Sequence, residues 1–502
     1  MKSLERQSSC ASEGGRAKVC EIRAARPRRR TSELRAYVRM GYRSVRALAM
    51  FGRILVIYVI LLGLRRILGR DRSARVEEGI HLWSARTLYK GFLSLEGVYI
   101  KLGQFMSMLT GLLPDQYLDE LEKLQDAVPP RPYEAIAARI TTELEKPIEA
   151  VFEELEEKAT ASASLGQVHL GRLRDGREVA VKVQYPGIEQ VVRTDLAVVR
   201  LAASVIDFFF PELNYRNVYE DLKKTITREL DYLNEGRSAE RIAANFADND
   251  HVEFPLIYWE YTTSKVLCME RKRGIKILDV AAIKEAGIRP IDVIEILVQA
   301  YFKQLLVDGF YHADPHPGNF FVKKAADGRP TIVFLDFGAV AEFPKDFKDG
   351  MRTVVYGYML RDDKRVIEGM RQMGFEAAGA DEEIFEKAVR HYMDKLLHFS
   401  PQDFSKLDLR EFDIRKNLEE MQLSFRELAR TFQVPRNWFY VERTLTLLMG
   451  LCARLDPKVD AFLYGFPYAV EFVFGGDSKL AAIWGTTSDP TKARSRAVKK
   501  TS

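Results

Sequence analysis

Asp314 and Asn319 stand five residues apart in "YHADPHPGNFFV", residues 311–322, and Asp336 follows seventeen residues later at the end of the apolar run "TIVFL". Two chemistries want such a set. Phosphoryl transfer would use Asp314 to orient an attacking hydroxyl, with Asn319 and Asp336 facing each other across a divalent cation on the phosphates. Metal-assisted hydrolysis would instead recruit His312, Asp314 and His316 as ligands on an extended strand. That second reading is the weaker one, because no cysteine or third histidine stands nearby to complete a zinc set, and imidazoles also brace loops by hydrogen bonding.

Upstream, Lys182 closes the strand-like "VAVK". A single lysine at an alternating strand position usually just faces solvent. The ordered set changes that: a strand lysine, acidic residues on a helix, then D-x-x-x-x-N, then D-F-G at 336–338. In this order Lys182 neutralises the non-transferred phosphates, Asp314 presents the acceptor, and Asn319 and Asp336 supply hard oxygen ligands for Mg²⁺. Lys182 needs a carboxylate to hold it, and Glu229, Asp231 and Glu235 are the candidates. On an unbroken helix through 217–247, Asp231 and Glu235 share a face and Glu229 points elsewhere. Glu235 is the expected partner.

The elements that must position these groups are legible in outline. Apolar spacing is helical from 78 to 125, and "VPPRP" at 128–132 breaks it. "LGQVHLGRL", the turn "RDGRE" and "VAVKVQYP" read as a hairpin. Helical periodicity returns over 190–247, a strand-like stretch follows at 264–274, and the chain is mostly helical from 293. The expectation is an α+β, two-lobed domain with a cleft between the lobes. Its divisions are a basic disordered head at 1–46, a helical extension at 47–132, a small lobe at 133–275, a larger helical lobe at 276–475 and a tail at 476–502.

Lys101 sits oddly in "SLEGVYIKLGQFMSML", beside Ile100, Leu102 and Phe105, and Gly103 is a costly helix residue unless close contact requires it. A semi-buried lysine wants a carboxylate, so Lys101 is expected to pair with Glu229 or Asp231 and gate the cleft. The bland alternative is a lysine snorkelling from a helix rim.

The 502 residues are 47% hydrophobic and 29% charged, a globular composition. Four scattered cysteines with no CxxC pair argue against a zinc ribbon or a disulfide framework. The net charge of +5 is uneven: residues 1–46 hold thirteen Lys or Arg against four Glu, a net of +9, leaving −4 for the remainder. This head reads as a solvated tail or as a patch drawn to anionic lipid; no recognition motif accompanies it, so nucleic acid is not an expected partner. The apolar run "ILVIYVILLGL", 54–64, is shorter than the roughly 20 residues that span a bilayer and reads as a buried or interfacial helix. An organelle transit peptide stays open, although the glutamates count against it.

Seven stretches in one order carry a family resemblance: "YIKLGQ", "LPDQYLDELEKLQDAVPP", "ASASLGQVHLGRL", "VAVKVQYPGI", "ELDYLNE", "HADPHPGN" and "DFGAV". The chain resembles the UbiB/AarF/ADCK family of atypical kinases from about residue 80 to 345. The resemblance implies a protein-kinase-like fold, ATP or ADP with Mg²⁺, and service to prenyl-lipid metabolism such as that of coenzyme Q. It assigns nucleotide contact to Ala161, Ser162, Ala163, Ser164, Lys182, Glu235 and Glu270, and a gate to Lys101, Gln104, Glu229 and Asp231. An Ala/Ser-rich loop replaces the G-x-G-x-x-G of ordinary protein kinases, which should alter how nucleotide sits, and two features weigh against peptide substrates: the resemblance implies a K-x-G-Q helix lying across the cleft, and no A-P-E element follows "DFG". Ser162 also replaces the middle alanine of the family's Ala-Ala-Ala-Ser run. The partners implied are nucleotide, a lipid or small-molecule substrate, a membrane surface and lipid-biosynthetic proteins. The location implied is the cytoplasmic face of an inner membrane, or a mitochondrion or plastid. A nucleotide-binding scaffold is the alternative to an enzyme.

Overall fold

The computed structural model describes residues 29–68, 70–107, 113–124, 129–209, 215–397, 427 and 430–475. The chain begins with four helices, α1 (Arg29–Leu68), α2 (Arg70–Leu95), α3 (Val98–Met106) and α4 (Asp115–Leu121). Glu96 and Gly97, with φ of 54° and 60°, turn the chain sharply between α2 and α3. Gly103 of α3 has its reason here. A Cβ at that position would collide with Leu124 and with the Phe92 ring of α2.

The small lobe follows, with α5 (Tyr133–Leu144), α6 (Ile148–Val151), β1 (Phe152–Leu155), β2 (Ala161–Ser162), β3 (Gly166–Leu173) and β4 (Glu178–Gln184). Then come α7 (Ile188–Phe209), α8 (Tyr215–Glu229), α9 (Tyr232–Ala244), β5 (Val252–Glu253) and β6 (Val266–Glu270). The antiparallel sheet runs β1-β3-β4-β6, with β2 laid on β3. Along β4, Val179, Val181 and Val183 are fully buried on one face, so the two-residue period sends Lys182 to the other.

The large lobe contains β7 (Ile275–Lys276), α10 (Val280–Glu285), α11 (Pro290–Phe302), β8 (Phe310–His312), β9 (Phe320–Lys324), β10 (Pro330–Phe334) and β11 (Val340–Glu342). Helices α12 (Lys345–Leu360), α13 (Asp363–Met373), α14 (Glu382–Leu397), α15 (Arg436–Leu455) and α16 (Phe462–Phe474) complete it. Its strands form a sheet ordered β5-β10-β9-β7 and a short β8–β11 pair. A single π-helical turn, Lys303–Asp308, links α11 to β8. The fold is α+β and kinase-like, as expected.

Four expectations are corrected. The helix through 217–247 is broken: α8 ends at Glu229 and Asp231 caps α9, accepting from the Leu233 and Asn234 amides. Asp231 therefore leaves the shared face with Glu235 that an unbroken helix would have given it. The basic stretch is helical from Arg29 onward, while residues 1–28 and the tail from 476 lie outside the described residues. The apolar run at 54–64 overlaps a longer segment, Met40–Leu61, that is long and apolar enough to cross a membrane by length and composition, with 17% of its most apolar window buried against protein. The longer segment includes Arg43. In the fold its guanidinium turns away to a buried pair with Asp195 of α7 at 2.7 Å and to the Leu95 and Glu96 carbonyls. Finally, residue 132 does not separate two cores. Phe92, Tyr99 and Leu121 of the extension share one hydrophobic cluster with Val181 and Val183 of the sheet and Leu222 of α8.

Candidate functional site

Lys182 lies opposite Val168 on β3 and Leu267 on β6. Its ammonium reaches Glu235 at 2.7 Å and Asp336 at 3.1 Å. The side chains of Lys182 and Glu235 are 14% and 3% exposed, whereas Asp336 is 45% exposed and opens onto the cleft. Burial alone would depress the Lys182 ammonium, but Asp336 and Glu235 outweigh it and hold it well above the usual lysine range. Burial pushes the Glu235 carboxyl up to about 7. Burial also works against ionisation of Asp336, but Lys182 and the Gly338 amide, which donates to Oδ1 at 2.9 Å, pull it far below the usual carboxylate range. Of the three carboxylates offered by the sequence, Glu235 holds the lysine.

The loop 313–319 is braced from beneath. His312 is fully buried; its Nε2 donates to the Asp336 carbonyl, and its Nδ1 accepts from the Tyr301 hydroxyl at 2.9 Å. Gln304, on the π-helical turn, accepts from the His312 amide at 2.9 Å. His316 caps the short turn at 317–319 by accepting from the Gly318 amide. Both histidines are thus engaged in bracing the loop, and among the described residues there is no cluster of three or more His, Cys, Asp or Glu side chains that could hold a metal. The Asn319 amide nitrogen donates to the Asp314 carbonyl at 3.0 Å, which leaves its oxygen as the atom a cation would meet.

Asp314 has a partner that sequence reading missed. Arg443 of α15 donates to its Oδ1 at 2.7 Å. Burial would raise the Asp314 carboxyl, but Arg443, then His312 and Lys101, hold it below the usual range. The signal was an arginine in the apolar stretch "YVERTLTLLMG", but nothing linear joins it to a loop 129 residues earlier.

Lys101 reaches Glu229 at 3.2 Å, from α3 to the last residue of α8. Gln104 donates to the Leu124 carbonyl at 3.0 Å. Lys101, Gln104, Glu229 and Arg443, with Phe105 and Tyr440, line a cavity of about 70 Å³ between α3, α8 and α15. The Ala/Ser loop is a tight return: Ala161 and Ser162 pair with Val168 and Gln167, and the Ala163 carbonyl accepts from Tyr185 at 3.0 Å. The Ser164 hydroxyl is buried without a hydrogen-bond partner among the described residues. Glu270 is not brought to the cluster by its side chain. It lies opposite Val179, and its carboxylate accepts from Lys272 at 2.7 Å and from the Leu256 amide.

Residues 123–370 match the ABC1 atypical kinase-like domain family. A probable protein kinase UbiB of Marinobacter nauticus is 32% identical over 381 residues, covering 75% of this chain and 68% of that protein. The chain belongs to this ABC1 (UbiB-type) atypical kinase-like family. Protein ACTIVITY OF BC1 COMPLEX KINASE 8, chloroplastic, of Arabidopsis thaliana is also 32% identical, over 78% of this chain and 54% of that protein. A solved structure of the Rv3197–erythromycin complex from Mycobacterium tuberculosis is 25% identical, with a TM-score of 0.47, over 76% of this chain and 94% of that one. The chain spans 54 to 66% of the length of the first curated relatives it matches. Among ABC1 family features, "YIKLGQ" and "ELDYLNE" here become the Lys101–Glu229 contact between α3 and α8.

Proposed function

We propose that this ABC1-family chain is an Mg-ATP-dependent phosphotransferase or ATPase serving prenyl-lipid metabolism at a membrane surface, and that it does not phosphorylate proteins in trans. The observation that carries the reading is the ammonium of Lys182, held between buried Glu235 and half-exposed Asp336. The residues present fit nucleotide and a divalent cation. The Asn319 amide oxygen and the Asp336 carboxylate are hard donors that need phosphate oxygens to complete an octahedral shell, and the buried Ser164 hydroxyl lacks an acceptor or donor of its own. Bound there, Mg²⁺ would neutralise charge on the transferred phosphoryl group.

In this reading Lys182 draws the non-transferred phosphates to the floor of the cleft, and the Ala161–Ser164 return covers them. Asp314, kept ionised beside Arg443, orients the acceptor. α3 lies where a peptide would dock, and the cavity behind it, about 70 Å³, holds a few waters or a small alcohol and no aromatic ring. The Arabidopsis relatives named as chloroplastic and the UbiB proteins of bacteria favour a plastid or an inner-membrane face.

The test is phosphate release from the purified chain with Mg-ATP, with and without a quinone-precursor analogue, compared with Asp336→Asn. Loss of Mg-dependent release in the variant, with the fold retained, supports the enzyme. Nucleotide binding with no release from either protein would favour a nucleotide-dependent scaffold for a lipid-biosynthetic complex.

A further inference from the structure

We infer that the groove between α7 and α8 binds the headgroup and upper acyl segment of an anionic phospholipid, forming a membrane contact on the folded domain separate from the basic head. The groove has a volume of about 440 Å³, within the usual range for small-ligand sites. Arg193 and Arg200 of α7 and Lys223 of α8 stand around it, and Leu196, Leu201 and Tyr219 form its apolar wall. No carboxylate is among its lining residues. Lys223 keeps only a loose contact with Glu220 at 3.8 Å, both side chains being about half exposed. Three cations around an apolar wall match a phosphate joined to hydrocarbon.

The helix geometry extends this match. Arg193 and Arg200 are seven residues apart and share one stripe of α7; Leu201 and Phe208, also seven apart, form the adjoining stripe. Leu201 is 52% and Phe208 82% exposed, so the hydrocarbon edge continues beyond the groove. Two turns before Leu201 on the same helix, Thr194 and its neighbour Asp195 meet Met40 and Arg43 of α1. That contact seats the apolar segment Met40–Leu61 directly on α7. Away from Arg43, α1 exposes Val38, Val45, Val56 and Val59 along one stripe. A helix of membrane-compatible length and a cationic, hydrocarbon-edged groove thus share one support. A free phosphate would use the three cations and leave Leu201 and Phe208 without a role.

This inference rests on the membrane part of the proposed function and not on the chemistry of the cleft. The test uses the full chain and phosphatidylcholine vesicles with or without phosphatidylglycerol. The chain carrying Arg193→Glu, Arg200→Glu and Lys223→Glu together should lose affinity for anionic vesicles by about a hundredfold, since each basic residue near an anionic surface contributes a several-fold factor. Its thermal midpoint should not change, because all three side chains are on the surface. Separately, the added tryptophan emission of Phe208→Trp should be quenched by acyl-brominated phosphatidylglycerol. Unchanged vesicle affinity in the triple variant, or an unquenched Phe208→Trp, overturns the assignment. Displacement of vesicles by millimolar inorganic phosphate or glycerol phosphate also overturns it, by making the groove a soluble-phosphate site. If the unmodified chain binds neither vesicle, the membrane reading itself fails. Phosphate release from Mg-ATP in detergent-free buffer is unaffected by any of these results.

Discussion

Glu235→Gln should raise the Mg²⁺ requirement of turnover much more than it weakens nucleotide binding. In the present geometry Lys182 is shared, at 2.7 Å from Glu235 and 3.1 Å from Asp336. Asp336 is the proposed metal ligand, so it must leave Lys182 or bridge it to the cation when metal arrives, and Glu235 is what makes that exchange cheap. Two unit charges at this separation attract by about 6 kcal/mol at an effective dielectric constant near 20, most of which is cancelled by the cost of burial. Glutamine keeps the shape and one acceptor oxygen but replaces a charged hydrogen bond by a neutral one, a loss of about 2 kcal/mol. Lys182 then holds Asp336 more firmly by a similar amount. The half-saturating Mg²⁺ concentration should rise about thirtyfold. Turnover against Mg²⁺ concentration reads this directly, and a fluorescent nucleotide in the absence of Mg²⁺ should show a change of only a few-fold. Glu235→Ala should behave worse, because it also leaves a cavity and an under-compensated buried ammonium, costing about 3 kcal/mol of stability. An unchanged Mg²⁺ requirement in Glu235→Gln would refute the idea that Glu235 releases Asp336 for the metal.

Three further outcomes are expected. Lys101→Ala and Glu229→Ala should each alter nucleotide affinity and be non-additive by about 1 kcal/mol in the double variant, as befits a part-buried pair at 3.2 Å; strictly additive effects would end the gating role. Arg443→Lys should lower turnover about tenfold and Arg443→Ala about a hundredfold with nucleotide affinity intact, because the guanidinium holds the Asp314 carboxylate proposed to orient the acceptor; equal loss of binding would make the residue structural. Burial depresses the His312 imidazolium, so its stabilising contribution is present above the unfolded histidine value of about 6.5 and is lost as pH falls through the lower folded value. The thermal midpoint of the parent chain minus that of His312→Gln should therefore shrink as the pH is taken below about 6.5, and a constant difference between pH 7.5 and 5 would show that His312 does not titrate on unfolding.

The ordered set Lys182, Asp314, Asn319 and Asp336 was readable because the chemistry imposes residue types at short, fixed spacings, and the hairpin that carries Lys182 was readable from its two-residue alternation. The choice of Glu235 was also within reach, although the argument for it assumed a helix that Asp231 in fact interrupts. Capping is a local preference, yet an aspartate inside a helical pattern does not say whether it faces outward or ends the helix. Glu270 was assigned nucleotide contact by resemblance; its carboxylate is engaged by Lys272 and the Leu256 amide.

What the amino-acid order determined by itself was local: element types over most of the chain, the spacing of the candidate site residues, the charge of the head and the unusual setting of Lys101. Tertiary structure decided everything that joins distant segments. Arg443 meets Asp314 across 129 residues, Arg43 meets Asp195 across 152, and the α7–α8 groove draws Arg193 and Arg200 together with Lys223 from another helix. The reason is physical. Backbone periodicity and short spacings act over one or two turns of chain, whereas the partner of a buried charge is chosen by which desolvated groups packing brings within about 3 Å, and no pattern in the linear chain encodes that distance.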